Sequence, residues 1–134
     1  MGYRSQVVFA IAPEAAHAFM ALQAKHPEVL ALCNDADDFS SGYEQEGDWF
    51  MHWSHIKWYE GYDEDVGPLI RFIEALDSDD LSEFGEPENP KDADGKEQGW
   101  HHYFKFIRIG EDYEDIEDKG WGFGRIGIDR QVHF

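Results

Sequence analysis

The pattern of apolar and polar residues predicts a strand followed by two helices at the start of the chain. Gln6–Ile11 (QVVFAI) is a short apolar run, rich in β-branched residues, that is typical of a buried strand. Pro13 suits the first turn of a helix, and apolar residues at helical spacing follow it. Pro27 interrupts this stretch, so a second short helix is expected from there to Cys33.

The middle of the chain predicts two strands and a third helix. Phe39–Gln45 and Asp48–Trp58 are joined by a turn around Glu46 and Gly47. The second of these strands carries aromatic side chains at both odd and even positions, so we expect it to be central and covered on both faces. Val66–Leu76 has apolar residues at helical spacing and is predicted to be a helix.

The last third of the chain begins with a long polar segment, Asp77–Gly99, which we predict to be a loop. Trp100–Ile109 alternates as a strand does, Glu111–Asp118 is expected to form a short helical turn, and Phe123–Phe134 is expected to be a final strand. The predicted order is therefore β-α-β-β-α-β plus an extra C-terminal strand. This order indicates one α+β domain over residues 1–134, a ferredoxin-like sandwich in which an antiparallel sheet carries helices on one face.

Charge narrows the range of functions. The chain has 134 residues with 29 acidic and 11 basic side chains, and its formal net charge is −18. Contacts with phosphate dominate nucleic-acid affinity, so direct binding of DNA or RNA is not expected, and anionic membranes are equally unfavourable. A hydrophobic content of 42% argues against disorder, and neither a signal peptide nor a membrane span is evident. We expect a soluble, cytoplasmic protein whose partner is basic.

The acidic residues are concentrated in three segments, within Glu28–Asp48, Glu60–Glu97 and Glu111–Asp118. A folded chain of this mass exposes roughly 7,000 Å², or about one net charge per 400 Å². B-DNA presents about one charge per 100 Å² of its cylinder. Mimicry of a nucleic acid is therefore credible only where the three segments gather on one face.

The first hypothesis is a non-catalytic binding protein that docks these acidic segments onto a basic surface. The aromatic segment from Trp49 to Tyr62 is typical of a buried core, which a domain of this size requires. Tryptophan and tyrosine are also enriched at binding hot spots, so under this hypothesis Trp58 and Tyr62, at the end of a strand, are the exposed anchors. The carboxylates predicted to surround them are Asp63, Glu64, Asp65, Glu111, Asp112, Glu114, Asp115 and Asp118.

A second hypothesis is a protein that binds a small anionic ligand such as a nucleotide signal. Several basic residues fall on strands that we expect to be neighbours, which would form a basic pocket inside an acidic shell. These residues are Arg4, Lys105, Arg108, Arg125 and Arg130.

A third hypothesis is a metal-dependent enzyme, because the chain has seven histidines. The pairs His52/His55 and His101/His102 point to opposite faces of a strand, which separates their rings, so no metal site and no cofactor is predicted. The single cysteine, Cys33, lies in an apolar context and is expected to be buried rather than reactive. We therefore expect a protein that is not an enzyme.

Three segments carry a resemblance to known proteins: the opening MGYRS, then HWSHIKWYEGY, then FIRIGEDYEDIE. With these, the chain resembles small acidic proteins encoded by bacteriophages and prophages, over most of its length. The resemblance implies a bacterial host cell and an inhibitor of host defence, such as a CRISPR or restriction protein complex, whose basic nucleic-acid-binding surface it would occupy. It carries over no catalytic residue.

Overall fold

The structure is a computed structural model that describes residues 4–58, 66–86, 88–112, 114–123, 126–129 and 131–133. The described part of the chain contains three α-helices and seven strands, with two short 3-10 helices at Ser82–Phe84 and Trp100–Tyr103. In chain order the elements are β1 Ser5–Ile11, α1 Pro13–Lys25, α2 Pro27–Asn34, β2 Asp38–Ser41, β3 Trp49–Ile56, α3 Val66–Asp77, β4 Phe104–Gly110, β5 Ile116–Lys119, β6 Gly127–Asp129 and β7 Gln131–His133.

Five strands form an antiparallel sheet in the order β2-β3-β1-β4-β5, which confirms the predicted α+β class. β1 is the central strand because its apolar run is buried along almost its whole length. It pairs with β3 on one side and β4 on the other, so that Phe9 lies between Met51 and Phe106. β2 and β5 are the two edge strands.

The three helices pack on one face of the sheet, as predicted. Phe9 on β1, Phe19 on α1 and Phe72 on α3 meet in this core. The rings of Phe9 and Phe19 are 5.7 Å apart and edge to face, and those of Phe19 and Phe72 are also 5.7 Å apart. Aromatic pairs at such distances add to the energy of burying their area, so they fix the helices on the sheet.

The opposite face of the sheet has a smaller core of its own. Val8, Phe50 and Ile107 project to this side and are covered by Phe123 and Ile126 of the C-terminal segment. Tyr43 stacks on Phe50 with ring centroids 4.5 Å apart. β3 is therefore covered on both faces, as its aromatic alternation predicts, although β1 and not β3 is the middle strand.

Two predicted elements are wrong, and a third begins later than predicted. Trp100–Tyr103 is a 3-10 helix rather than the start of a strand, so the rings of His101 and His102 are not separated as predicted but have centroids 4.1 Å apart. The segment Glu111–Asp118 does not form a helical turn, because Ile116–Lys119 pairs with β4 as strand β5. The predicted final strand, Phe123–Phe134, is replaced in its described part by a hairpin, β6 and β7, which forms a separate two-stranded sheet. Both corrections come from pairing between segments, which a local pattern of residues does not specify.

The long segment after α3 is organised by one buried side chain and a few local contacts. Leu81 is fully buried and forms an isolated bridge with Glu86, and Lys91 forms another with Glu97. Asp92 accepts hydrogen bonds from the backbone N–H groups of Asp94 and Lys96. The described part of this segment is therefore a folded loop, not an extended linker.

Candidate functional site

The first predicted anchor, Trp58, is buried. Only 6% of its surface is exposed, and its ring lies 5.7 Å from that of Trp53 and 5.9 Å from that of Phe106. The prediction of an exposed anchor is wrong because the chain just beyond β3 turns this side chain into the helix-facing core. The other residues predicted near it, Tyr62, Asp63, Glu64 and Asp65, lie outside the described residues.

Two of the predicted carboxylates after β4, Asp115 and Asp118, are paired with basic side chains of β4. The guanidinium of Arg108 on β4 donates bidentate hydrogen bonds of 2.5 and 3.1 Å to the carboxylate of Asp115. It also donates a hydrogen bond to the carboxylate of Glu117 on β5. These bonds, those from Asp115 above all, raise the pKa of Arg108. The Nζ of Lys105 lies 2.5 Å from Oδ1 of Asp118. We call this set of paired charges the β4–β5 ladder.

The remaining predicted carboxylates of this segment differ among themselves. Glu111 accepts a hydrogen bond of 2.8 Å from the backbone N–H of Arg4, which ties it to the start of β1. Glu114 is exposed, and so is Asp112. Asp115 and Asp118 are therefore neutralised within the chain, whereas Glu111 and Glu114 keep exposed negative charges on this edge.

The described acidic segments do not gather on one face. Asp37 and Asp38 lie at the β2 edge, whereas the β4–β5 ladder lies at the β5 edge. Four inter-strand spacings separate these edges, which is about 19 Å. The acidic loop before β4 is near Trp100, and Glu111 follows the other end of the same strand. The condition set for mimicry of a nucleic acid is therefore not met in the part of the chain that the structure describes, because the segments leave the sheet at different edges and ends.

The basic pocket of the second hypothesis is also not formed as predicted. Lys105 and Arg108 are three residues apart on β4 and point to opposite faces of the sheet. Each is already neutralised by carboxylates of the ladder. Arg4 is described and lies near the start of β1, whereas Arg125 and Arg130 are outside the described residues.

A buried carboxylate belongs to the fold and not to a binding site. Asp48 is fully buried at the start of β3. Burial alone would raise its pKa, but hydrogen bonds from the backbone outweigh that effect and lower it. Its two oxygens accept these bonds at 2.7 to 3.1 Å from the N–H groups of Gly42, Tyr43, Glu44 and Gln45.

The histidine of β3 is likewise built into the sheet. His52 is buried, with its Nδ1 2.7 Å from Asp38 and its Nε2 3.1 Å from the amide of Gln6. The nearby hydroxyl of Ser54 donates to Asp37 at 2.8 Å. Because both ring nitrogens of His52 have neighbours, the cluster links strands β1, β2 and β3 and offers no open position to a substrate.

The described residues hold no group of three or more histidine, cysteine, aspartate or glutamate side chains arranged to bind a metal ion. Cys33 is buried, as predicted, and burial raises the pKa of its thiol to about 12. At neutral pH such a thiol is protonated and is a poor nucleophile.

Sequence reasoning missed the most exposed aromatic residue among those described. Trp121 follows β5 and is 76% exposed. The rings of His101 and His102 lie 5.3 and 5.6 Å from its ring, both edge to face. The backbone N–H of Trp121 donates to the carbonyl of His101 at 2.7 Å, which fixes the tryptophan beside the 3-10 helix that precedes β4. An exposed tryptophan held in this way costs little entropy when it binds.

His101, which contacts Trp121, is also held by Asp79. Its Oδ1 accepts a hydrogen bond of 2.9 Å from the backbone N–H of His101 and lies 2.6 Å from that residue's Nδ1. Asp79 has a φ of 60°, just after α3, where the N–H groups of Asp79 and Asp80 bond back to Leu76 and Ala75. Glycine is the usual residue at this position of a helix end, because side chains rarely adopt a positive φ.

Asp79 also lines a cleft. The cleft has a volume of about 650 Å³. Among its described lining residues, Lys91 is the one cation, against the carboxylates of Asp79, Asp80, Glu86, Glu88 and Glu97. Asp79 thus joins this acidic cleft to the exposed ring of Trp121. We call the combined feature, from Trp121 through His101, His102 and Asp79 to the cleft, the Trp121 surface.

Comparisons with protein-family models, with curated proteins and with solved structures gave no match to this chain. In the described part of the chain, every helix is too short or too polar to cross a lipid bilayer.

Proposed function

We propose that this protein binds a basic surface of another protein through its Trp121 surface and performs no catalysis itself. The observation that carries the proposal is the 76% exposure of Trp121 near a cleft whose described lining has five carboxylates and one lysine. A large exposed aromatic ring next to concentrated charge of one sign fits a protein interface better than an unoccupied solvent face.

The two parts of the surface would act at different stages of binding. The cleft carboxylates and the overall charge of −18 attract a cationic partner over a distance and raise the association rate. Trp121 then contributes the apolar contact that slows dissociation, since most of the energy of an interface comes from a few buried aromatic or arginine side chains. The occupant that fits the cleft is a lysine- or arginine-rich loop.

We propose further that the partner is a nucleic-acid-binding protein of a bacterial defence complex, of the CRISPR or restriction kind. The resemblance of MGYRS, HWSHIKWYEGY and FIRIGEDYEDIE to small acidic phage proteins supports this setting. Inhibition would follow from occupying the groove that the partner uses for its nucleic acid. Blocking by one acidic cleft has more support than mimicry of a whole duplex, because the described acidic segments lie at different edges of the sheet.

The proposal is tested by capture from a bacterial host followed by measurement with the purified partner. Trp121→Ala should weaken binding by about thirty-fold, the loss typical of a tryptophan hot spot. The matched control is Phe39→Ala, which removes another exposed aromatic, on the β2 edge, and should leave binding unchanged.

Charge provides the second arm of the test. Affinity should fall as salt rises in the wild type, and the double variant Glu86→Gln with Glu88→Gln should reduce that dependence. Equal binding by the wild type and Trp121→Ala, or an affinity that does not respond to salt, would contradict the proposal.

We also propose that β1 to β4 with their helices form a ferredoxin-like core to which β5 is added. The connection from β1 to β2 carries two helices and passes over β3, and the connection from β3 to β4 carries α3 and passes over β1. Two such crossed connections are the features of a split βαβ arrangement. This fold hosts many unrelated functions, so the functional proposal depends on the Trp121 surface alone.

A further inference from the structure

A second cavity lies on the helix side of the molecule. It is bounded by the C-terminal end of α1, the first turns of α3 and the 3-10 helix Ser82–Phe84. Its volume is about 550 Å³. Sites for small molecules typically measure roughly 300 to 1,000 Å³. The cavity is therefore large enough for a small organic ligand.

The floor of this cavity is apolar. Leu22 and Pro68, both buried, contribute to the lining together with Phe84. The ring of Phe84 is held edge to face at 5.2 Å from Phe72, which belongs to the helix-facing core. An aromatic ring supported in this way gives a flat apolar body a fixed surface to pack against.

The rim of the cavity is rich in basic residues, although the protein as a whole is acidic. Lys25, His26 and Arg71 line it, and Glu83 is the one carboxylate among its described lining residues. No described carboxylate lies within ion-pair distance of Lys25 or Arg71, although the chain has 29 acidic residues. Lys105 and Arg108, by contrast, are both paired. Two unpaired cations over an apolar floor are complementary to a molecule that has an anionic group and an apolar body.

We propose that this cavity binds a small amphipathic anion, in which a phosphate, sulfonate or carboxylate is attached to a flat apolar body. The guanidinium of Arg71 can hold two oxygens of the anionic group at once, and the ammonium of Lys25 adds a point charge. The apolar body contacts Leu22, Pro68 and Phe84. None of the residues that line this cavity belongs to the Trp121 surface. The test of ligand binding is therefore independent of the proposed protein partner.

The test uses naphthyl phosphate as the probe and calorimetry as the measurement. One molecule should bind per chain. Naphthol, which has the same apolar body without the charge, should bind at least about tenfold more weakly, and so should inorganic phosphate, which lacks the apolar body. Binding of naphthol with the affinity of naphthyl phosphate would overturn the charge assignment.

Variants identify the cavity. Arg71→Gln should lower the affinity for naphthyl phosphate by about tenfold, and Lys25→Gln by a smaller factor, because an ammonium forms no two-pronged contact. Glu83→Gln should raise the affinity, since it removes the one carboxylate of the described rim. Lys57→Gln is the matched control, because Lys57 is exposed and does not line the cavity.

Two results would overturn the proposal. One is the absence of binding by naphthyl phosphate up to millimolar concentration. The other is a loss of affinity in Lys57→Gln equal to that in Arg71→Gln, because the effect would then come from net charge and not from this cavity. Thermal unfolding of each variant verifies that it remains folded.

Discussion

The β4–β5 ladder and the Trp121 surface use the same kinds of residue in opposite ways. In the ladder, Arg108 and Lys105 are each bonded to carboxylates of the neighbouring segment. On the Trp121 surface, the described lining of a cleft has five carboxylates and a single lysine, and an exposed tryptophan is linked to it through His101. In the first arrangement the carboxylates are paired with lysine and arginine. In the second, Asp79 bonds His101, while Asp80 and Glu97 accept from neutral N–H groups, and among the described residues none of the cleft carboxylates is in an ion pair with lysine or arginine.

Local acidity in the sequence therefore does not by itself identify a docking site. The segment Glu111–Asp118 has a higher density of acidic residues than the loop before β4, but Asp115, Glu117 and Asp118 are used to attach an edge strand. What distinguishes the two regions is the presence of a base on the adjacent strand. Variants that remove internally bonded carboxylates should therefore affect stability, and those on the Trp121 surface should affect binding.

The largest effect is expected at Asp48, the extreme case of a carboxylate satisfied within the chain. Asp48→Asn keeps the size of the side chain but places an amide among four backbone donors. At least one donor would then face another N–H group without an acceptor, in a fully buried position. We expect a loss of about 3 kcal/mol in the free energy of unfolding, measured with urea.

The pH dependence of that loss is a further check. Because the folded protein lowers the pKa of Asp48, its carboxylate contributes stability above the unfolded value of about 4. This contribution is lost as pH falls through the lower folded pKa. The difference between wild type and Asp48→Asn should thus be greatest near neutral pH and shrink in acid. A constant difference down to strongly acidic pH would contradict this account.

The next effect is expected in the ladder itself. Arg108→Gln leaves Asp115 and Glu117 facing each other without the cation between them. The arginine side chain is mostly buried, so its bonds are shielded from solvent, and we expect a loss of about 1.5 kcal/mol in urea unfolding. Glu114→Gln is the control, since Glu114 is exposed on the same segment, and it should change stability by less than about 0.5 kcal/mol. Equal losses in the two variants would remove the distinction between the regions.

Much of the fold was predictable because its determinants are local. The apolar run of β1 and the helical spacing within Val66–Leu76 each specify an element without reference to distant residues. Strand β5 was not predictable in this way, since Ile116 becomes part of a strand only by pairing with Ile109. A chain segment dense in charge gives no local sign that a neighbouring strand will neutralise it.

The candidate site was less predictable for the same reason. Trp58 and Trp121 both follow a strand, yet the first is buried and the second exposed. Trp121 lies beside the 3-10 helix because its backbone bonds His101, a residue 20 positions earlier, and no spacing in the sequence predicts that contact. Asp79 gave a partial indication, since aspartate just past the end of a helix tolerates a positive φ better than most residues.

A smaller effect is expected from the cleft. Glu86 and Glu88 both line it without an ion pair among the described residues, and like charges held close together repel each other. The double variant Glu86→Gln with Glu88→Gln should therefore leave stability unchanged or raise it by about 0.5 kcal/mol, while it weakens partner binding. Urea unfolding at low salt measures the first quantity. A clear loss of stability would mean that the cleft, like the ladder, belongs to the fold.

The smallest net change in stability is expected at Asp79, where two effects oppose each other. Asp79→Gly relieves the positive φ, which is worth about 1 kcal/mol, but removes two hydrogen bonds to His101 of similar total value. The two effects nearly cancel, and the free energy of unfolding should then move by less than about 0.5 kcal/mol. Nitrogen NMR of the imidazole provides the decisive readout, because the carboxylate of Asp79 favours the tautomer of His101 with its proton on Nδ1.

Asp79→Asn is the matched variant, since asparagine also tolerates this backbone conformation and its amide oxygen can still accept from Nδ1. It should keep the tautomer of His101, whereas Asp79→Gly should lose it and weaken partner binding with little change in stability. If instead Asp79→Gly binds the partner as wild type does, the orientation of His101 beside Trp121 has no part in recognition. Binding would then depend on the exposed ring and the charge of the cleft alone.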